Sequence, residues 1–143
     1  MSGSGSVLNM IIDTGPIVAL FNRRDNHHVM CRAFFETFTG SLFTTWLVLT
    51  EVCFLLPHHL VVPFLDWVAS GGLVDVDLSK KTTTDIAQLM QKYHDRPMDL
   101  ADASLVCLAN QLGLLDICTI DHADFAIYRT SNGGAMNDVL ARL

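Results

Sequence analysis

Residues 7–21 read VLNMIIDTGPIVALF, and this stretch decides the fold. Val7 to Ile12 is a short apolar run that stops at Asp13. Thr14-Gly15-Pro16 then turns the chain, and a helix is predicted over about 16–21. A largely apolar run of this length suits a strand buried on both faces, as in a parallel sheet. A second such run, Leu114 to Ile120, also ends on an acid, Asp121.

Helical patterns fill the space between. After a polar loop at 22–26, Met30, Ala33, Phe34, Thr37 and Phe38 recur at helical spacing, so a helix is predicted over about 27–39, closed by Gly40. Ser41 to Thr44 reads as a strand, and Thr45 caps a helix over about 46–56 that Pro57 interrupts. Pro63 is expected to open another helix, ending at Gly71-Gly72. Leu73 to Leu78 alternates apolar and acidic residues, the pattern of a half-exposed strand. Ser79 to Thr84 offers caps for a helix carrying Ile86, Leu89, Met90 and Tyr93. Asp99 opens a further helix to about Leu112, which Gly113 closes. Beyond residue 122 a short turn or helix, a strand at Ala126 to Arg129 and a turn at 132–134 are expected. Strands alternating with helices predict an α/β fold: three layers, α/β/α, around a central, mostly parallel sheet.

The 143 residues suit one domain at 7–143, with MSGSGS at 1–6 read as a flexible polar leader of the sort a cloning scar leaves. Half of the residues are hydrophobic and 17% are charged, which excludes general disorder. The net charge of −6 argues against gripping nucleic acid by bulk positive charge. It leaves open contact with phosphates through a bound metal. The apolar region 46–68 is broken by Glu51, Pro57, Pro63 and Asp66, so no membrane span is expected. Cysteines at 31, 53, 107 and 118 form no C-x-x-C pair, and are expected to be buried or half-buried free thiols of a cytoplasmic protein.

The chemistry lies in where certain acids fall. Asp13 and Asp121 each end a buried strand, at the edge where parallel α/β sheets form their ligand crevice. Glu51 has Leu47, Val48, Phe54 and Leu55 at −4, −3, +3 and +4, so it is expected to project from an apolar stripe. Asp99 and Asp102 sit at i, i+3 at a helix start, where capping and the helix dipole already favour acids. Leu105 and Val106 follow Asp102 at +3 and +4, which instead turns it inward. Inward carboxylates without His or Cys among them fit Mg²⁺ or Mn²⁺ better than zinc. Such an ion can generate hydroxide, bind a phosphodiester and stabilise a leaving oxygen. Thr14 and Thr119 flank two of the acids, and their hydroxyls are placed to orient a water or a carboxylate.

The segments IIDTGPIVALFNRRDNHH, LTEVCFLL, DRPMDLADASLVCLA and TIDHADFAIYR, in this order, resemble the PIN-domain ribonucleases of the VapC toxin type over roughly residues 7–130. The resemblance implies that Asp13, Glu51, Asp102 and Asp121 hold Mg²⁺ or Mn²⁺, and that Asp99 and Asp124 match further acidic positions. It also implies metal-dependent RNA cleavage, a homodimer and a cognate antitoxin. A catalytically silent PIN-fold binding module is the rival. A dehalogenase-type phosphatase is excluded because Gly15 stands where its second acid belongs, and a phospho-receiver because the lysines fall at 80, 81 and 92. The histidine pairs 27–28 and 58–59 form no metal face, while His122 lies beside Asp121. RNA is expected to be held by Arg23 and Arg24, then by Arg96 and Arg129. The aromatic load of Phe34, Phe35, Phe38, Phe54, Phe64 and Trp67 points to a dimer interface or an antitoxin groove.

Overall fold

The computed structural model describes residues 8–96 and 98–143, so the leader expected at 1–6 lies outside the described residues. Five strands form one sheet: β1 (Leu8–Ile12), β2 (Gly40–Thr44), β3 (Val74–Asp75), β4 (Asp116–Cys118) and β5 (Asn137–Asp138). Their order is β3-β2-β1-β4-β5, and all four pairings are parallel. The helices are α1 (Thr14–Phe21), α2 (His28–Thr37), α3 (Trp46–Leu55), α4 (His58–Ala69), α5 (Thr82–Lys92), α6 (Leu100–Leu112) and α7 (His122–Phe125). They flank the sheet in the expected three layers.

The order places a switch in direction between β1 and β4. From β1 the chain steps outward to β2 and β3, then returns to the other side of β1 for β4 and β5. Parallel sheets open a crevice at such a point, beyond the carboxyl ends of the strands. Ile11 pairs with Ile117 and Ile12 with Cys118, and the Asp13 N–H continues the ladder to the Cys118 carbonyl at 2.9 Å. Residues 13 and 119–121 are thereby brought side by side.

Burial explains the central elements. Met10, Ile11, Ile12, Ile117 and Cys118 are buried, and α6 is buried continuously from Ala101 to Ala109 against β1, α3 and α5. Gly113 ends α6 in the left-handed region at φ 66°, where a side chain would strain the backbone. Thr45 accepts from the Val48 N–H as the predicted cap of α3, and its hydroxyl bonds Ser104 of α6 at 2.8 Å. The four cysteines are free, three buried and Cys53 half-buried, as expected. Among the described residues no helix is long and apolar enough to cross a membrane.

Several elements differ from expectation. Helix α1 begins at Thr14 rather than 16, because the Asp13 carboxylate accepts the Thr14 N–H and caps it. Helix α4 begins at His58 after Pro57, so Pro63 lies inside it instead of opening it. Pro63 forgoes one backbone hydrogen bond there, and the residue after it, Phe64, is completely buried. The predicted strand 73–78 is paired only at Val74–Asp75, with Val76 adding one bond to Thr44, and β4 is shorter than the run 114–120. No strand forms at 126–129. Arg129 instead bridges Ala135 across the 130–134 turn, and β5 follows it unforeseen. Most of the aromatic load goes into the core. Phe64 is fully buried, while Phe34, Phe35, Phe38 and Trp67 pack partly buried against it, leaving Phe54 outside at 85% exposure.

Candidate functional site

Beyond β1 and β4 lies a cleft of about 310 Å³, with Asp13, Thr14, Glu51, Asp99, Asp102 and Asp121 in its wall. Within it Asp13, Asp102 and Asp121 each offer a carboxylate oxygen within 4.8 Å of the other two. Asp13 comes from the end of β1, Asp102 from the first turn of α6 and Asp121 from the chain leaving β4. Asp13 and Asp102 are buried; Asp121 is exposed at the mouth.

The surrounding bonds fix these carboxylates. Asp13 Oδ1 accepts from the Thr14 N–H at 2.8 Å, and its Oδ2 accepts from the Thr119 hydroxyl at 3.0 Å. The same hydroxyl accepts from the Asp121 N–H at 3.0 Å, so Thr119 ties two of the three acids together. Asp99 caps α6, its Oδ1 accepting the Asp102 N–H at 2.7 Å. Asp102 Oδ2 accepts from the Tyr128 hydroxyl at 3.3 Å. Tyr128 is completely buried, braced by Tyr93 and Phe125 at ring separations of 5.1 Å.

The electrostatics are unfavourable for free carboxylates. Burial pushes the Asp13 carboxyl up to about 7, with Asp121 and Glu51 adding to it and the Thr14 and Thr119 bonds opposing. Asp102 is pushed up to about 8, by burial first and then by Asp13, Asp99 and Asp121. Asp121 is raised by burial and by Asp124 and Asp99. Burial and the nearby Asp102 also raise the Tyr128 phenol, which therefore stays a donor. A dication among the three acids reverses this balance. The donor set fits a hard cation: it is all oxygen, and the buried Thr14 hydroxyl beside it has no protein partner.

The other expected residues separate into those on the cleft and those away from it. Glu51 is half-buried on the cleft wall, outside the group of three. The buried stripe of α3 runs through Val48, Leu49 and Val52, while Phe54 and Leu55 are exposed, so Glu51 stands at the stripe's border and not within it. Asp124 is absent from the cleft wall and pairs with Arg96 at 2.8 Å. Arg129 donates to the carbonyls of Ala126 and Tyr128 and lines a different hollow with Asp85 and Lys92. Arg23 and Arg24 line a cavity of their own. His122 bonds Asp138 of β5 rather than an acid of the cleft.

Two residues escaped the reading of the sequence. Tyr128 lies in an apolar run, where a phenol needs a buried partner, and that need was the available signal. Asp25 lines the cleft from the α1–α2 loop, where its carboxylate accepts the His27 N–H at 2.8 Å. An acid before two histidines gave no sign of facing the site.

Residues 10–131 match the family model described as PIN domain. The chain belongs to the PIN domain family. Among curated relatives it is similar to Ribonuclease VapC26 of Mycobacterium tuberculosis, 26% identical over 129 residues that cover 87% of this chain and 96% of the relative. Among solved structures it is similar in fold to Mycobacterium tuberculosis VapC20, described as a Sarcin-Ricin loop cleaving toxin. That match has a TM-score of 0.69 and 15% identity, covering 76% of this chain and 86% of the other. In this PIN domain the acidic cleft sits at the sheet's switch point, bounded by α1, α3 and α6.

Proposed function

We propose that the protein is a metal-dependent endoribonuclease that hydrolyses RNA phosphodiester bonds with an activated water, and that it acts as the toxin of a toxin–antitoxin pair. The observation that carries this is the trio Asp13, Asp102 and Asp121, within 4.8 Å of one another and lifted by burial. The similarity to a relative named Ribonuclease VapC26 supports RNA as the substrate. The three acids would hold Mg²⁺ or Mn²⁺, which when bound supplies Lewis-acid activation of water and charge stabilisation on the phosphate.

The chain's own residues do the rest. Thr119 and the Thr14 N–H hold Asp13 in one orientation, and Tyr128 and the α6 backbone do the same for Asp102. Glu51, half-buried across the cleft, orients the attacking water and accepts its proton. Asp99 fixes the first turn of α6, and Asp124 pairs with Arg96 away from the cleft wall. Arg23 and Arg24 supply the cations for RNA backbone that the acidic cleft lacks.

Incubation with total cellular RNA in Mg²⁺, Mn²⁺ or EDTA tests the reading. Cleavage is expected with either ion and not in EDTA, leaving a 5′-phosphate and a 3′-hydroxyl. Products with a 2′,3′-cyclic phosphate contradict the mechanism. Binding without cleavage in either ion identifies the silent module instead. The exposed Trp46, Phe54, Leu55 and Val62 of α3 and α4 support a homodimer or antitoxin contact, and four free thiols support a cytoplasmic location. A purified protein that stays monomeric at high concentration removes the homodimer.

A further inference from the structure

The acidic cleft has a basic neighbour. A cavity of about 500 Å³ is walled by Phe21, Arg23 and Arg24 on one side and by Pro57, His59 and Leu60 on the other. Three stretches of chain pass from one hollow to the next. Val18 lines the cleft and Phe21 the cavity, one turn of α1 apart; Asp25 lines the cleft and Arg24 the cavity; Leu55 lines the cleft and Pro57 the cavity. The two hollows are thus lined by consecutive parts of the same segments, and the sign of charge changes from one to the other.

The two arginines are uncommitted. Both are exposed, and among the described residues neither is ion-paired, whereas Arg32 pairs with Glu36 and Arg96 with Asp124. The backbone on either side of Arg23 is nonetheless tied down: the Arg24 N–H donates to Asn22 Oδ1 at 3.1 Å, and the Asn22 N–H to the Val18 carbonyl at 2.8 Å. Phe21 is held by its ring contacts, edge-on to Phe64 at 5.4 Å and tilted against Trp67 at 5.2 Å. The cavity is thus a fixed feature of the fold, of the size that small-molecule sites have.

A polyanion entering an acidic cleft on a chain of charge −6 requires cations close by. A phenyl ring, an imidazole and guanidinium groups are also the surfaces on which unpaired bases stack. Resting on the ribonuclease reading above, we infer that this cavity is a nucleotide subsite of the RNA substrate. It takes one unpaired nucleotide next to the scissile phosphate, with Arg23 and Arg24 on its phosphate and His59 and Phe21 against its base.

The test uses short RNAs with one cleavage site and randomised flanking bases, cut by the Mn²⁺-loaded protein. Arg23→Gln with Arg24→Gln is expected to raise KM about tenfold, to hold kcat within about threefold, and to lower the salt slope of RNA binding by about 1.4. Arg23→Lys with Arg24→Lys keeps the charge and restores the slope. His59→Ala is expected to flatten the base preference at one position flanking the cut. All these side chains are exposed, and thermal melting confirms that the variants fold. An unchanged KM and salt slope overturns the subsite and leaves the ribonuclease reading intact. A raised KM with the base preference unchanged in His59→Ala also overturns it, because a simple phosphate clamp does as much. No cleavage by the unaltered protein overturns both readings.

Discussion

Asp13 follows Ile12 directly, and Asp102 precedes Leu105 by less than one turn, yet these neighbours stand in opposite relation to the fold. Ile12 and Leu105 are completely buried, and their burial stabilises the native state. Asp13 and Asp102 are nearly as buried, and theirs opposes it, lifting each carboxyl to about 7 or 8. The same strand and the same helix therefore carry both the stabilising core and a destabilised cleft. A protein retains such a cleft where a bound cation compensates it, so the cleft should respond to metal and the core should not.

The largest effect separates them by chemistry. Asp102→Asn keeps the shape of the side chain but removes one of three converging charges, and should lower ribonuclease activity on the order of 10²–10³-fold. Leu105→Ala removes only apolar contacts. It should cost about 2–5 kcal/mol of stability, equally in EDTA and in Mn²⁺, in denaturant titrations. A stability loss at Leu105 that Mn²⁺ abolishes would break the distinction.

The next effect reports on how Asp102 is held. Tyr128→Phe removes the 3.3 Å bond to its Oδ2 while keeping the ring packed between Tyr93 and Phe125. Mn²⁺ affinity should fall about tenfold or more by calorimetry, as for other residues that orient a ligand carboxylate. Unchanged affinity would show that α6 alone positions Asp102.

A gentler effect comes from pH. The carboxyls of Asp13 and Asp102 titrate higher in the folded protein than in the unfolded chain, where they have ordinary values near 3.8. Between about pH 4 and pH 8 the unfolded state therefore binds fewer protons, and stability falls as pH rises. Their contribution is full below the unfolded value and lost through the folded one. In EDTA the melting temperature should decline from pH 5.5 to pH 8, and Mn²⁺, which favours the ionised form, should reduce the decline. The smallest effect lies in the scaffold. Ser104→Ala breaks the 2.8 Å bond to Thr45 and should cost about 1 kcal/mol, with RNA cleavage intact at a temperature where the variant is folded.

The contrast also marks what was legible in the sequence. Elements that bury a continuous apolar surface, such as β1 and α6, announced themselves, as did the acids that end them. The caps at Thr45, Asp99 and Gly113 were visible because each meets a local backbone need. Strand β3 was legible in the alternation of 73–78, though that stretch is longer than its paired part, whereas β5 was not, since two paired residues carry no periodicity and exist only by joining an edge already built. Glu51 was misjudged for a related reason: apolar neighbours at helical spacing show a face, and in α3 the face through Phe54 and Leu55 is exposed. The sequence ranks Arg23 and Arg24 ahead of Arg96 and Arg129 by their place along the chain, but their partners are not written in it. Arg96 is committed to Asp124 and Arg129 to two carbonyls, while Arg23 and Arg24 share a cavity, and only tertiary contacts distinguish them.

The central claim is that the cleft is a destabilised acidic site matched to a cation, and thermal melting of the unaltered protein and Asp102→Asn at pH 8 tests it most directly. In EDTA the variant should be more stable by about 1 kcal/mol, because one repelling charge is gone. Excess Mn²⁺ should raise the melting temperature of the unaltered protein, by binding only the native state, and that of the variant much less. If Asp102 serves only the helix dipole, its loss should instead destabilise by about 0.3–1 kcal/mol. A decrease of that kind, equal in EDTA and in Mn²⁺, would contradict the claim.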